Sequence, residues 1–150
     1  RQRVEGRPRP GVLALEWLDP PFVPGHWVPE MIAWAGGLCL RGEPGARSRE
    51  TTWEALRGAD PDVLVVMPCG YGLDAARADA RAAAERLCAV APRAIARGRA
   101  FVVDGSSYFN RSGPRVVDGV EILAAILHPD AFPEVPLEGR AEPWVPAPVP

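Results

Sequence analysis

Asp60-Pro61-Asp62-Val63-Leu64-Val65-Val66-Met67-Pro68-Cys69-Gly70-Tyr71-Gly72 decides the fold. The apolar run from Val63 to Met67 stands between Asp-Pro and Pro-Gly punctuation. Such a run, rich in β-branched residues and without polar alternation, predicts a strand buried on both faces, as in a parallel sheet. Downstream, the apolar positions Leu73, Ala76, Ala80, Ala83 and Leu87 fall on one helical face and predict a long helix from about residue 73 to 90. A second buried strand is expected at Ala100–Val103. A last helix is expected from about residue 113 to 127, with Ser112 as its cap and Val116, Val120, Leu123 and Leu127 facing inward.

Upstream the same alternation holds. Val12 to Trp17 reads as a buried strand, and Leu38 to Leu40 as a shorter one. Between them Met31, Ile32, Trp34 and Ala35 suit a short helix, with Pro29 in its first turn and Gly36-Gly37 at its end. Thr51 and Glu54 have capping-box spacing for a helix through Trp53 and Leu56. Strands alternating with helices predict an α/β lobe with a mainly parallel sheet of roughly four strands and right-handed crossovers. From Pro133 onward prolines recur too often for a helix or a central strand, so the tail is expected to be extended or partly disordered.

Composition narrows the function. The chain has 150 residues, a formal net charge of −2 and 17 basic residues, every one an Arg. These are scattered, with no dense basic stripe, which disfavours nucleic-acid binding. No apolar stretch approaches the roughly 20 residues that span a bilayer. Cys39, Cys69 and Cys88 form no Cys-x-x-Cys pair, so neither a zinc site nor a disulfide framework is expected. The polar opening, Arg-Gln-Arg-Val-Glu-Gly-Arg-Pro-Arg-Pro, has no initiator Met and no leader pattern, and reads as the end of a preceding segment.

Candidate site residues fall in the segments that follow the strands, where open α/β sheets bind ligands. Glu-Trp-Leu-Asp-Pro-Pro-Phe-Val-Pro-Gly-His-Trp (16–27) brings Trp17, Phe22, His26 and Trp27. Asp-Gly-Ser-Ser-Tyr-Phe-Asn-Arg-Ser-Gly-Pro-Arg (104–115) brings Ser107, Tyr108, Phe109, Asn110 and Arg111. Aromatics on two loops at one sheet edge suggest a platform for a flat, apolar molecule with polar fringes, although core packing is the commoner use of such rings. Tyr108 and Phe109 are adjacent and cannot both easily point inward, so at least one is expected to face a ligand. Arg111 opposes the helix dipole that follows it, which hints at an oxygen-bearing partner. His26 is a candidate ligand for a metal carried by the bound molecule, or a loop His that only makes hydrogen bonds. Cys69 superficially resembles a nucleophile elbow, but Pro68 breaks the Gly-x-Ser-x-Gly pattern, and Gly70 more simply allows close backbone approach.

At these loops the sequence resembles a known family. Glu-Trp-Leu-Asp-Pro-Pro-Phe-Val-Pro-Gly-His-Trp-Val-Pro-Glu-Met, Ala-Gly-Gly, Ala-Asp-Pro-Asp-Val-Leu-Val-Val and Gly-Arg-Ala-Phe-Val-Val-Asp-Gly are similar, in this order, to the carboxy-terminal lobe of the helical-backbone substrate-binding proteins. These serve ABC importers of vitamin B12, siderophores and haem, and the Trp-x-Asp-Pro-Pro-Phe and Tyr-Phe-Asn-Arg-x-Gly-Pro-Arg segments resemble the cobalamin-binding branch. The resemblance covers roughly residues 10 to 130. It implies one half of a two-lobe fold: residues 1–10 ending the inter-lobe linker, 11–130 forming the lobe, and 131–150 a Pro-rich tail, with the amino-terminal lobe missing.

The resemblance further implies non-enzymatic binding of cobalamin or a related corrinoid, with no catalytic cofactor and no protein-held metal. Trp17, Phe22 and Trp27 would line one side of the half-cleft, the Cys69–Gly70–Tyr71 turn and the Ser107–Arg111 loop the rest. Arg111 would meet the ligand's polar periphery. Family members coupled to a permease carry an exposed acidic docking residue on each lobe, for which Glu30 is a shifted candidate here. A periplasmic or cell-surface location is implied, while the lack of a leader leaves the cytoplasm open. The alternatives are a ferric siderophore or haem in the same lobe, a small α/β hydrolase using Cys69 or His26, and a cytoplasmic corrinoid sensor or carrier.

Overall fold

The computed structural model of the chain describes residues 2–147. After a single turn of 3-10 helix at Gln2–Val4, the chain enters β1 (Gly11–Leu15), then a small hairpin of β2 (Trp17–Leu18) and β3 (Pro21–Val23). Next come α1 (Val28–Trp34), β4 (Leu38–Cys39), β5 (Arg49–Glu50), α2 (Trp53–Leu56) and β6 (Val63–Val66). Three helices follow, α3 (Leu73–Ala82), α4 (Ala84–Val90) and α5 (Pro92–Ala96), then β7 (Ala100–Val103). The one-turn α6 (Gly105–Tyr108), α7 (Arg115–Leu127) and β8 (Ala141–Pro143) complete the lobe.

The main sheet has the order β4-β1-β6-β7-β8, parallel except for β8, which pairs antiparallel with β7. Its three central strands, β1, β6 and β7, are buried on both faces, and their successive side chains feed two cores. Val12, Ala14, Val63, Val65 and Val103 join α1 and α7 on one side. Leu13, Leu15, Leu64, Val66 and Val102 join Leu56, Ala76, Ala80, Leu87 and Ala94 on the other. This two-sided burial is why the strands read as unbroken apolar runs.

Four expectations are corrected. The long helix after Gly72 is interrupted at Ala83 (φ −96°, ψ 11°), so α3 lies on β7 while α4 turns to pack on α2 and α5. The cap of α2 is Thr52, whose hydroxyl accepts from Ala55 N at 3.1 Å, rather than Thr51. Pro114, with its φ already helical at −55°, occupies the cap position of α7 in place of Ser112, and no side chain caps that end. The Pro-rich tail supplies a fifth strand. Pro143 is tolerated because β8 is an edge, Glu142 pairs with Arg77, and Trp144 is buried against the second core. The tail's last three residues and Arg1 lie outside the described residues.

Residues 2–10, expected as linker, pack on the lobe. Val4 is buried, Arg3 pairs with Glu134, Arg7 Nη1 meets Asp130 Oδ2 at 2.7 Å, and Arg9 Nη2 donates to Gly37 O at 2.7 Å.

Candidate ligand-binding site

The chain leaves β1 first to one side, reaching β4, and then crosses to the other side to form β6. The sheet's topological switch point therefore lies between the carboxyl ends of β1 and β6, where a crevice forms because the two crossovers diverge. Glu16 and Cys69 sit there, joined by the Cys69 N–H to Glu16 O bond of 3.0 Å. Above them opens a cavity of about 560 Å³, within the range of small-molecule sites.

Its aromatic walls are Trp17, Phe22 and Trp27, each half-buried. The hairpin pairs Trp17 with Phe22 across its two strands, which sets two rings side by side. Trp27 is fixed from the opposite loop: its Nε1 donates to Phe109 O at 2.9 Å. His26 has φ 52°, held by the bonds His26 N to Ala46 O (2.6 Å) and Gly45 N to His26 O (2.8 Å). Gly25 is obligatory beside it, since a Cβ would stand 2.4 Å from Ala46 O. The His26 ring lies 5.8 Å from that of Trp27, tilted by 42°.

The loops after β6 and β7 are tied together rather than left free. Ser106 N donates to Tyr71 O at 3.1 Å, and Gly70 N donates to Asn110 Oδ1 at 3.2 Å. Gly105 permits this approach, because a Cβ there would lie 2.6 Å from Pro68 O. Asp104 caps α6 through Ser107 N at 2.9 Å and also accepts the Ser107 hydroxyl at 2.7 Å.

Of the residues expected at the site, Trp17, Phe22, His26, Trp27, Cys69, Phe109 and Asn110 border the cavity. Phe109 does so from within the core, being only 1% exposed. Gly70, Tyr71, Ser107, Tyr108 and Arg111 stand outside the lining. Tyr71 packs its ring on Trp17 at 5.1 Å, Ser107 serves the α6 cap, Tyr108 lies under the Arg140 guanidinium at 5.6 Å, and Arg111 is exposed. Glu30 is exposed in the first turn of α1, away from the cavity.

Sequence reasoning missed Glu16, Gly25, Val28 and Ser48. Glu16 had one signal: a carboxylate placed directly after a two-sided apolar strand. Ser48 had none, because only the tertiary approach of residues 45–48 brings it in. Burial pushes the Glu16 carboxyl above its ordinary range, against the opposing pull of a Ser48 hydrogen bond and the His26 charge.

Crowding around the sulfur, and the nearby Glu16 carboxylate, push the Cys69 thiol upward too. Among the described residues no hydrogen bond joins Cys69 to a histidine, and His128 is buried with Nε2 3.3 Å from Gly36 O. A nucleophile needs the opposite: an adjacent base and a depressed pKa. Cys69 is therefore expected to alkylate with iodoacetamide at neutral pH more slowly than free cysteine, read by mass spectrometry of the labelled peptide. Faster labelling would revive the hydrolase reading. No group of three or more metal-ligating side chains occurs among the described residues, and none of their helices is long and apolar enough to cross a membrane.

Solved structures share this fold. A periplasmic heme binding protein from Pseudomonas aeruginosa superposes with a TM-score of 0.66 at 26% identity, over 97% of this chain and 48% of that one. The chain has the fold of one lobe of a periplasmic binding protein. The periplasmic vitamin B12 binding protein of Vibrio cholerae gives 0.64 at 18% identity, over 87% of this chain and 48% of that one. The periplasmic heme-binding protein of Roseiflexus sp. RS-1 gives 0.60 at 24% identity, over 86% and 49%. The lobe thus spans about half the length of these structures. Neither a family model nor a curated protein matches the sequence.

Proposed function

We propose that this lobe forms one half of a binding cleft for a corrinoid, cobalamin or a close relative, within an ABC-type uptake system. The observation that carries the reading is the cavity's lining: the half-buried rings of Trp17, Phe22 and Trp27, with no arginine among its residues. A corrin offers a broad apolar face to such rings and an uncharged amide rim to Asn110, Ser48 and the backbone. Binding would be capture and release without chemistry. The second lobe would close the other face, and the protein would work on the periplasmic or outer cell surface. Glu30, exposed on α1, is the residue we assign to permease docking.

A second reading, haem or a ferric siderophore, is favoured by one observation: His26 borders the cavity with an imidazole able to approach a ligand's iron. Against it, propionates or an anionic chelate would find no arginine in the lining.

Titration of the protein with cyanocobalamin, haemin and a ferric catecholate siderophore separates the readings, followed by tryptophan fluorescence and visible absorbance. Cyanocobalamin is expected to quench saturably and to perturb its own visible bands. A saturable Soret shift from haemin, without any response to cyanocobalamin, would replace the corrinoid reading with the second.

A further inference from the structure

The least expected group in the cavity is the Glu16 side chain. It is only 7% exposed, yet it borders the ligand space. Its backbone is fully employed, with Glu16 N donating to Phe22 O at 2.9 Å and Glu16 O accepting from Cys69 N. The fold needs nothing further from the side chain, since an apolar residue of similar volume would avoid the cost of burying a carboxylate. None of the ion pairs formed by the described arginines reaches it. The groups that act on it are the Ser48 hydroxyl and the His26 imidazole. Ser48 already accepts from Gly25 N at 3.2 Å, which fixes the hydroxyl's position. One hydroxyl leaves most of the acceptor capacity of a carboxylate unused.

We infer that Glu16 is a specificity-determining residue of this cleft: its carboxylate accepts hydrogen bonds from amide N–H groups on the fringe of a flat ligand and rejects ligands that present a carboxylate there. This rests on the cleft being a ligand site, and it deepens the corrinoid reading by supplying its chemical filter. An amide or ammonium donor satisfies the buried acceptor with a charge-assisted bond. A ligand carboxylate at the same place puts two anions side by side in a poorly solvated pocket, where both cannot remain ionised. The position suits a filter, because Glu16 shares the cavity lining with the rings of Trp17, Phe22 and Trp27. Specificity of this kind is built from a repulsive element as much as from an attractive one.

The test uses two pairs of probes that differ only in amide against acid: cyanocobalamin with its monocarboxylic acids, and mesoporphyrin diamide with mesoporphyrin. Affinities are measured by fluorescence quenching for the wild type and for Glu16→Gln, which keeps the size of the side chain. The wild type is expected to prefer the amide member by about tenfold or more in each pair it binds, the free-energy scale of one buried hydrogen-bonded contact. In Glu16→Gln that ratio is expected to fall to within about threefold. Because the readout is a ratio within one protein, a general loosening of the fold lowers both members and leaves it unmoved. Discrimination in the porphyrin pair without cobalamin binding would overturn the corrinoid reading and leave the filter standing. Equal binding of amide and acid by the wild type, an unchanged ratio in Glu16→Gln, or no binding of any probe would each overturn the filter.

Discussion

Phe109→Ala is expected to lower the unfolding free energy by about 3 to 5 kcal/mol, the range for deleting a fully buried aromatic ring. Phe109 is 1% exposed and belongs to the core that joins α1, α7 and the sheet. Its ring edge approaches the one face of α7 that lacks a side chain: a Cβ on Gly119 would lie 3.3 Å from Phe109 Cε1 and 2.5 Å from Tyr108 O. The void left by alanine would be walled by the α7 backbone and by Met31, and neither can collapse into it fully. Urea denaturation with an unchanged m-value measures the loss, and Phe109→Leu is expected to recover most of it. A loss below about 1 kcal/mol, the size of an ordinary substitution, would mean that the ring belongs to the ligand surface after all.

That residue also marks the limit of what the sequence could reveal. Tyr108 and Phe109 are adjacent aromatics, and nothing in their order says which one turns inward. The decision is made by α6: Asp104 caps a single turn, and the turn rotates Phe109 under α7 while Tyr108 remains partly exposed under Arg140. By contrast, β6 and β7 could be read almost to the residue, because a strand buried on both faces must be apolar throughout. The loops beyond the strand ends followed from the same order of elements, and among their residues Trp17, Phe22, His26, Trp27, Cys69 and Asn110 border the cavity.

Short or unusual pairings were illegible. The β2–β3–β5 sheet is built of strands of two or three residues, too short for any period to register, and it is what delivers Ser48 to the cavity. The β8 strand carries a proline that argues against a sheet unless its edge position is known. The break at Ala83 involves no Pro or Gly. It arises because the second half of the segment finds its apolar partners, α2 and α5, in a different direction from the first.

Trp27→Ala is expected to weaken ligand binding by about 2 to 3 kcal/mol, on the scale of a buried tryptophan hot spot. Two losses combine in that figure. The indole forms one of the three aromatic walls, so its removal takes away a stacking face. Its Nε1–H also bridges to Phe109 O at 2.9 Å, so the same change unfastens the loop holding His26 from the loop that follows β7. Trp27→Phe separates the two, since it keeps a ring and deletes the donor. It is expected to cost about 1 kcal/mol, the typical net worth of one hydrogen bond. Arg111→Ala supplies the contrast. Arg111 is exposed and outside the lining, so its truncation is expected to change affinity by no more than about 0.5 kcal/mol, as surface substitutions usually do. Isothermal titration of the three variants against the ligand bound by the wild type gives all three values at once. Should Arg111→Ala cost more than Trp27→Ala, the ligand would have to be seated on the outer rim, between Arg111 and Tyr108, rather than among the rings at the switch point.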